Sequence, residues 1–244
     1  MRPQALSLDL FGTIVFFDTT RLPRRIVGVE EKIVTIGDLD TMLTAAAPDV
    51  TLEDFLDLLA RASVEIAQEK ASHGREIPTR ERYRRALLRS GAQSAAADAV
   101  AAAMAEQHMA TLAEAIVCPV DRCDILERLA ARHPLALVSN FDHGPTGHSL
   151  LARFGLTRYF RTVVISEDVG YLKPSAQIFA AACAGLGCDP AECLHVGDSR
   201  EADVQGAIGV GMPVLWIGEG DPGPAVGCIA DLRELPDWLS ARYA

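Results

Sequence analysis

Four polar elements of this 244-residue sequence follow short apolar runs: Asp9, the pair Ser139-Asn140, Lys173, and Asp198 with Asp203. An aspartate or serine in such a place often caps the next helix, which is the structural reading of each taken singly. Taken together they describe a reaction site. Three carboxylates brought close repel one another unless a cation neutralises them. Carboxylate oxygens are the hard ligands that Mg²⁺ selects. A lysine ammonium and a serine hydroxyl beside them suit a phosphoryl group or a carboxylate. Nucleophilic carboxylate, metal and anion cradle are the parts needed for phosphoryl transfer through an aspartyl-phosphate.

For these residues to meet, the runs before them must lie side by side. Runs 4–10, 135–139, 162–165, 193–197 and 213–217 are brief, apolar and bounded by Gly, Pro, Ser or Asp. That is the pattern of fully buried parallel strands. Helical patterns at 124–129, 178–183 and 202–207 alternate with them, which predicts an α/β fold with a doubly wound, Rossmann-like parallel sheet. Right-handed crossovers then put every strand C-terminus, and the ligand crevice, on one edge.

Residues 17–110 break this rhythm. Thr51-Leu52-Glu53-Asp54 is a capping-box-like start, followed by Phe55, Leu56 and Leu59 at helical spacing. An Arg-rich amphipathic stretch spans 79–90, and 95–109 is dominated by alanine, the strongest helix former. The expectation is an all-helical cap domain over 17–110, inserted into a core made of 1–16 and 111–244. Segments 26–29 and 33–36 fit either helix or strand. The arginines Arg80, Arg82, Arg84, Arg85 and Arg89 read as a solvated helix face, or as a patch selecting an anionic substrate.

At the polar elements the sequence resembles the haloacid dehalogenase-like (HAD) superfamily. The residues that carry the resemblance are Leu8-Asp9-Leu10-Phe11-Gly12-Thr13, Val138-Ser139-Asn140-Phe141-Asp142, Val169-Gly170-Tyr171-Leu172-Lys173-Pro174, and the stretch from His195-Val196-Gly197-Asp198 to Asp203. The resemblance implies that Asp9 is the nucleophile and a metal ligand. Ser139 would hydrogen-bond the transferred group, with Asn140 beside it, and Lys173 would tie Asp9 to the bound anion. Asp198 would coordinate Mg²⁺, Asp203 would complete or orient the metal shell, and the Phe11 backbone carbonyl would add a ligand.

One position departs from the pattern. Family phosphatases usually carry a second aspartate two residues after the nucleophile as general acid and base, and here that residue is Phe11. General acid–base help is worth ~10²–10⁴-fold in rate. The dehalogenase branch of the family has an aromatic residue at this position, works without metal, and lacks the carboxylate found here at Asp198. The two ends of the site therefore point to different chemistries: Mg²⁺-dependent phosphomonoester hydrolysis, or a dehalogenase-like reaction through an aspartyl ester. A catalytically reduced binding module is the third reading. Asp18, Asp142, His143 and Glu167 are the candidates to replace the acid.

Composition bounds the partners. The chain has 23 basic against 33 acidic residues, a formal charge of −10, and 49% apolar residues. The apolar share excludes disorder as the main state, and the negative balance argues against nucleic acid. The longest charge-free runs, 174–188 and 204–218, are interrupted by Gly and Pro and fall short of a ~18-residue membrane span. With no signal-peptide pattern, and six cysteines outside any C-x-x-C pair, the expectation is a cytoplasmic enzyme with free thiols. It would act on a small anionic molecule as a monomer or homodimer.

Overall fold

The computed structural model describes residues 2–243, which divide into two compact units: 2–17 with 117–243, and 18–116. The first unit is built on a six-stranded sheet. Its strands are β1 (Ala5–Leu8), β4 (Leu135–Ser139), β5 (Thr162–Ile165), β6 (Cys193–Gly197), β7 (Val214–Ile217) and β8 (Gly227–Ile229), while strands at Arg24–Val27 (β2) and Glu30–Ile33 (β3) belong to the second unit. They lie in the order β8-β7-β6-β1-β4-β5, and every pairing is parallel. This is a doubly wound α/β sheet, and the strand order reverses direction at β1. Ligands bind such sheets at the carboxyl ends of the strands beside this reversal.

The strands form at the apolar runs because both their faces are covered. All residues of β1, β4, β6 and β7 are buried. One covering layer brings Ile178, Phe179, Ala182 and Leu186 of α8 (Ala176–Leu186) onto Ala5, Ala136, Val138 and Val214. The strand β8 was not expected. It has three residues, opens on Gly227 and offers no alternation, so its place at the sheet edge comes from pairing with β7.

The second unit has its own core. It contains α1 (Leu39–Ala46), α2 (Leu52–His73), α3 (Arg80–Arg89) and α4 (Ser94–Glu114). Phe55, Tyr83, Leu87, Ala97 and Met104 pack together with Val27, Ile36 and Leu43. Thr51 caps α2 as its spacing predicts, its hydroxyl accepting the Asp54 N–H at 3.1 Å. The unit is not all-helical: β2 (Arg24–Val27) and β3 (Glu30–Ile33) form an antiparallel hairpin. Gly28, at φ +63°, turns the chain there. The hairpin is amphipathic only at Val27, and its remaining positions are charged or exposed, so the strand signal is faint. Helix α4 also runs to Glu114 rather than ending near 110.

Arginines of α3 are neutralised on the helical surface. Arg84 pairs with Asp98 at 2.7 Å, Arg85 with Glu69 at 2.6 Å, and Arg89 with Glu65 at 2.6 Å. All six cysteines are free thiols. Among the described residues, no helix is long and apolar enough to cross a membrane.

Candidate active site

The site is assembled at the carboxyl edge of the sheet from loops that leave β1, β4 and β6. Asp9 follows β1 directly, Ser139 closes β4, and Asp198 follows β6. Carboxylate oxygens of Asp9, Asp198 and Asp203 all lie within 4.8 Å of one another. Lys173 Nζ stands 2.5 Å from Asp9 Oδ1 and 2.6 Å from Asp203 Oδ1, and all three side chains are buried. The structure thus brings the predicted carboxylates and the lysine together.

Two glycines make this approach possible. A Cβ on Gly12, whose φ is +82°, would sit 2.3 Å from Asp198 Oδ2, and one on Gly197 would sit 2.3 Å from Asp203 Cγ. Real atoms cannot approach so closely, so the backbone itself forms two walls of the carboxylate cluster. Asp203 lies in an irregular turn, Arg200–Gln205, with π-type i→i+5 bonding from Val204 N–H to Ser199 O at 3.1 Å. Such turns recur at functional sites. Here it aims Asp203 back toward β6, where the Ser199 N–H donates to Asp203 Oδ2 at 2.9 Å.

One buried residue went unread in the sequence. His195, inside β6, places Nε2 2.9 Å from Asp203 Oδ1 and Nδ1 3.0 Å from the Ser7 hydroxyl. Burial lowers its basicity, against the raising influence of Asp203. The neutral ring therefore donates from Nε2 to Asp203 and accepts the Ser7 O–H at Nδ1. Its ring is steadied edge-on by Phe179, with centroids 5.2 Å apart. A histidine within an apolar strand needs a partner, and the aspartate eight positions on was the available signal. Trp216 is a buried core residue. It also donates from Nε1 to the Asp198 carbonyl at 2.8 Å, while the Arg200 guanidinium covers its ring at 3.7 Å.

Charge in the cluster is unbalanced. Burial, together with Asp203 and Asp198, pushes the Asp9 carboxyl up to about 7 against the pull of Lys173. Burial also raises Asp198, with a further push from Asp203. Burial would raise Asp203 too, but Lys173 and His195 overcome it and hold this carboxyl well below the usual range. Burial opposes the charge on Lys173, and Asp9 and Asp203 more than restore it. Three acids face one lysine, and their hard oxygen donors fit a divalent cation such as Mg²⁺.

Two hydroxyls are left over. Ser139 Oγ is buried and has no hydrogen-bond partner among the described residues, and the same holds for Thr13 Oγ1. Orphaned buried hydroxyls are costly and call for an explanation. At Ser139, beside the carboxylates, a bound anion supplies one. Asn140 is different. Its side chain is spent on the Lys173 main chain, so its amide positions the lysine rather than facing a ligand.

Phe11 lies against aromatic rings. Its centroid is 5.1 Å from that of Phe17 in a stacked pair and 5.0 Å from that of Phe141. The residues considered as replacement acids are engaged elsewhere. His143 caps α6 (Gly144–Arg153) through Thr146, Glu167 accepts the Gly144 N–H, and Asp18 bonds Thr20 and Arg21. Asp142 is also partnered.

Comparison with known proteins agrees with this geometry. Residues 3–211 match the family described as haloacid dehalogenase-like hydrolase. The 5-amino-6-(5-phospho-D-ribitylamino)uracil phosphatase YigB of Escherichia coli (strain K12) is 35% identical over 144 residues, 57% of each chain. The glyceraldehyde 3-phosphate phosphatase of Methanopyrus kandleri is 41% identical over 70 residues, 29% of this chain and 30% of that one. The match thus spans little more than half of the first relative and less than a third of the second. In fold, a 2-haloacid dehalogenase from Pseudomonas syringae pv. Tomato DC3000 superposes with TM-score 0.69 at 23% identity, covering 99% of this chain and 100% of that one. The HAD-hydrolase YfnB of Bacillus subtilis, bound to magnesium, gives TM-score 0.64 at 19% identity, covering 98% and 100%. With its carboxylate cluster at the edge of a parallel sheet and its family match over most of its length, the chain belongs to the haloacid dehalogenase-like hydrolases.

Proposed function

We propose that the chain hydrolyses the phosphomonoester of a small molecule with Mg²⁺, through a phosphoryl group carried on Asp9. The observation that carries this reading is the approach of Asp9, Asp198 and Asp203 oxygens within 4.8 Å, with only Lys173 to balance them. Asp9, Asp198 and the Phe11 carbonyl would hold the ion. Asp203, already bonded by Lys173, His195 and Ser199, would orient the shell around it. Mg²⁺, when bound, neutralises the excess charge and polarises the phosphoryl oxygens.

The chain's own groups do the rest. Lys173 occupies Asp9 Oδ1, which leaves Oδ2 to attack phosphorus in line with the departing oxygen. The ammonium and the Ser139 hydroxyl bind the equatorial phosphoryl oxygens, where charge accumulates as the reaction proceeds. Water then attacks the phosphorus of the aspartyl-phosphate, and the Asp9 carboxylate leaves. Phosphatase relatives and the orphaned Ser139 hydroxyl support this reading. The direct test is release of 4-nitrophenol from its phosphate ester by purified protein. Turnover is expected with Mg²⁺, and none with chelator or in Asp9→Asn. Turnover that persists in either condition sinks the proposal.

Phe11 favours a second reading, attack of Asp9 on the substituted carbon of a 2-haloacid to give an aspartyl ester. Its mark would be halide release in the presence of a chelator. Absence of halide across several 2-haloacids would dismiss it.

A further inference from the structure

The bond that breaks in a phosphomonoester leaves an oxygen anion, and the position two residues past Asp9 carries no acid to protonate it. Phe11 carries no transferable proton. His143 and Glu167, at the same sheet edge, are committed to the first turn of α6. The loop that carries Asp9 instead leads into an aromatic surface. Phe11 is two residues past Asp9, and Phe141 two past Ser139, on loops leaving the adjacent strands β1 and β4. Their ring centroids are 5.0 Å apart with planes inclined at 45°. Phe17 stacks on Phe11 at 5.1 Å and 17°. Phe141 is 8% exposed and Phe17 is 45% exposed, so the trio is anchored at one end and open at the other.

An open ring on the loop that follows the proposed nucleophile offers a face for another flat group. The missing proton narrows what that group can be. An aliphatic alkoxide is about as basic as hydroxide, whose acid has a pKa of ~15.7. A phenolate, with a conjugate acid near ~10, departs far more readily without a proton. Flat shape and acidic leaving oxygen are met together by aromatic alcohols.

We infer that Phe11, Phe17 and Phe141 receive the leaving group, and that the preferred substrates are phosphate monoesters of planar, acidic aromatic alcohols. This rests on the phosphatase reading above. The bond from Asp9 Oδ2 to phosphorus forms as the aryl C–O–P linkage breaks at its P–O bond. The electron pair leaves on the aryl oxygen, and the phenolate takes its proton from solvent. Water then replaces the carboxylate on phosphorus, and its proton leaves with inorganic phosphate or to solvent.

The test compares kcat/KM for 2-naphthyl phosphate, propyl phosphate and acetyl phosphate with Mg²⁺, in wild type and in Phe17→Ala. Acetyl phosphate has an acidic leaving group but no ring. In wild type, 2-naphthyl phosphate is expected to exceed propyl phosphate by at least ~10²-fold, the lower range of lost acid catalysis. Phe17→Ala is expected to lower the naphthyl-to-acetyl ratio about tenfold, the scale of one aromatic contact. Phe17 is exposed, so this variant keeps its fold. Equal use of naphthyl and propyl esters, or an unchanged ratio in Phe17→Ala, overturns the inference while acetyl phosphate turnover keeps the phosphatase reading. Failure on all three phosphates removes both.

Discussion

Asn140 clasps the main chain of Lys173 from both sides: its Nδ2 donates to the Lys173 carbonyl at 2.9 Å, and its Oδ1 accepts the Lys173 N–H at 2.6 Å. A lysine that must meet two carboxylates at once is placed by its backbone as well as by its charge. Asn140→Ala should therefore lower kcat by about 10²-fold, the usual cost of roughly 1 Å of misplacement. Asn140→Asp keeps the acceptor and loses the donor, and should fall between wild type and alanine. Steady-state kinetics with Mg²⁺ would decide, and equal kcat in all three proteins would refute the positioning role.

Gly12 shapes the proposed metal site through absence of a side chain. In Gly12→Ala the new Cβ would meet Asp198 Oδ2 at 2.3 Å, with the backbone held at φ +82°. Asp198 has to move. Wild type should gain ~2.7 kcal/mol of stability when Mg²⁺ is 100-fold above its Kd. The variant should lose most of that increment while paying ~1–2 kcal/mol in left-handed strain. Thermal melts with and without Mg²⁺ separate the two effects. An undiminished Mg²⁺ increment would contradict the proposed ligation.

His195 joins Ser7 to Asp203 across the floor of the site. His195→Leu strands a buried hydroxyl and removes one donor from a buried carboxylate. A loss of ~2 kcal/mol in stability is expected, within the range for unsatisfied buried groups. Because Asp203 is displaced while Ser139 is untouched, kcat should fall more than KM rises. Urea denaturation and kinetics on the same preparation would check this. Unchanged kcat in a destabilised protein would assign His195 to packing.

Arg122 is buried and holds Asp231 through two bonds at 3.2 and 2.8 Å. Burial would raise Asp231, but hydrogen bonds from Arg233 and Arg122 hold it well below the ordinary carboxyl value of 3.8. A carboxyl depressed in the folded state stabilises the protein above its unfolded pKa, and that contribution is lost as pH falls toward the folded pKa. Asp231→Asn should cost about 3 kcal/mol near neutral pH by leaving a buried cation under-paired. The gap from wild type should narrow below about pH 4. Urea midpoints across that range test the sign, and a gap that widens in acid would reject it.

Asp9, Ser139 and Asp198 were legible because each sits at the end of a short apolar run, a local signal, whereas Lys173 and Asp203 lie further along the chain and were legible through the resemblance. The sheet followed from the same runs. Less could be read where an element depends on a distant partner. The edge strand β8 has three residues and exists through its pairing with β7. The β2–β3 hairpin mixes Arg24, Arg25, Glu30, Glu31 and Lys32 with few apolar positions, so no face announces itself. His195 was hidden inside the run that identified its strand. Asn140 was placed beside the bound group by the resemblance, through backbone or side chain, and its side chain is bound to Lys173.

The pairing of β1 has a consequence for how the chain is made. Leu6 pairs with Leu135 on one side and Leu194 on the other, so the strand that carries Asp9 emerges from the ribosome long before either neighbour. Residues 18–116 have a separate core and can condense in the interval. Long-range parallel pairing is slow because loop closure precedes any reward. The nascent chain thus carries an unpaired apolar strand through most of its synthesis, an opening for chaperones and for aggregation. The proposed site is complete only once Lys173, Asp198 and Asp203 have followed.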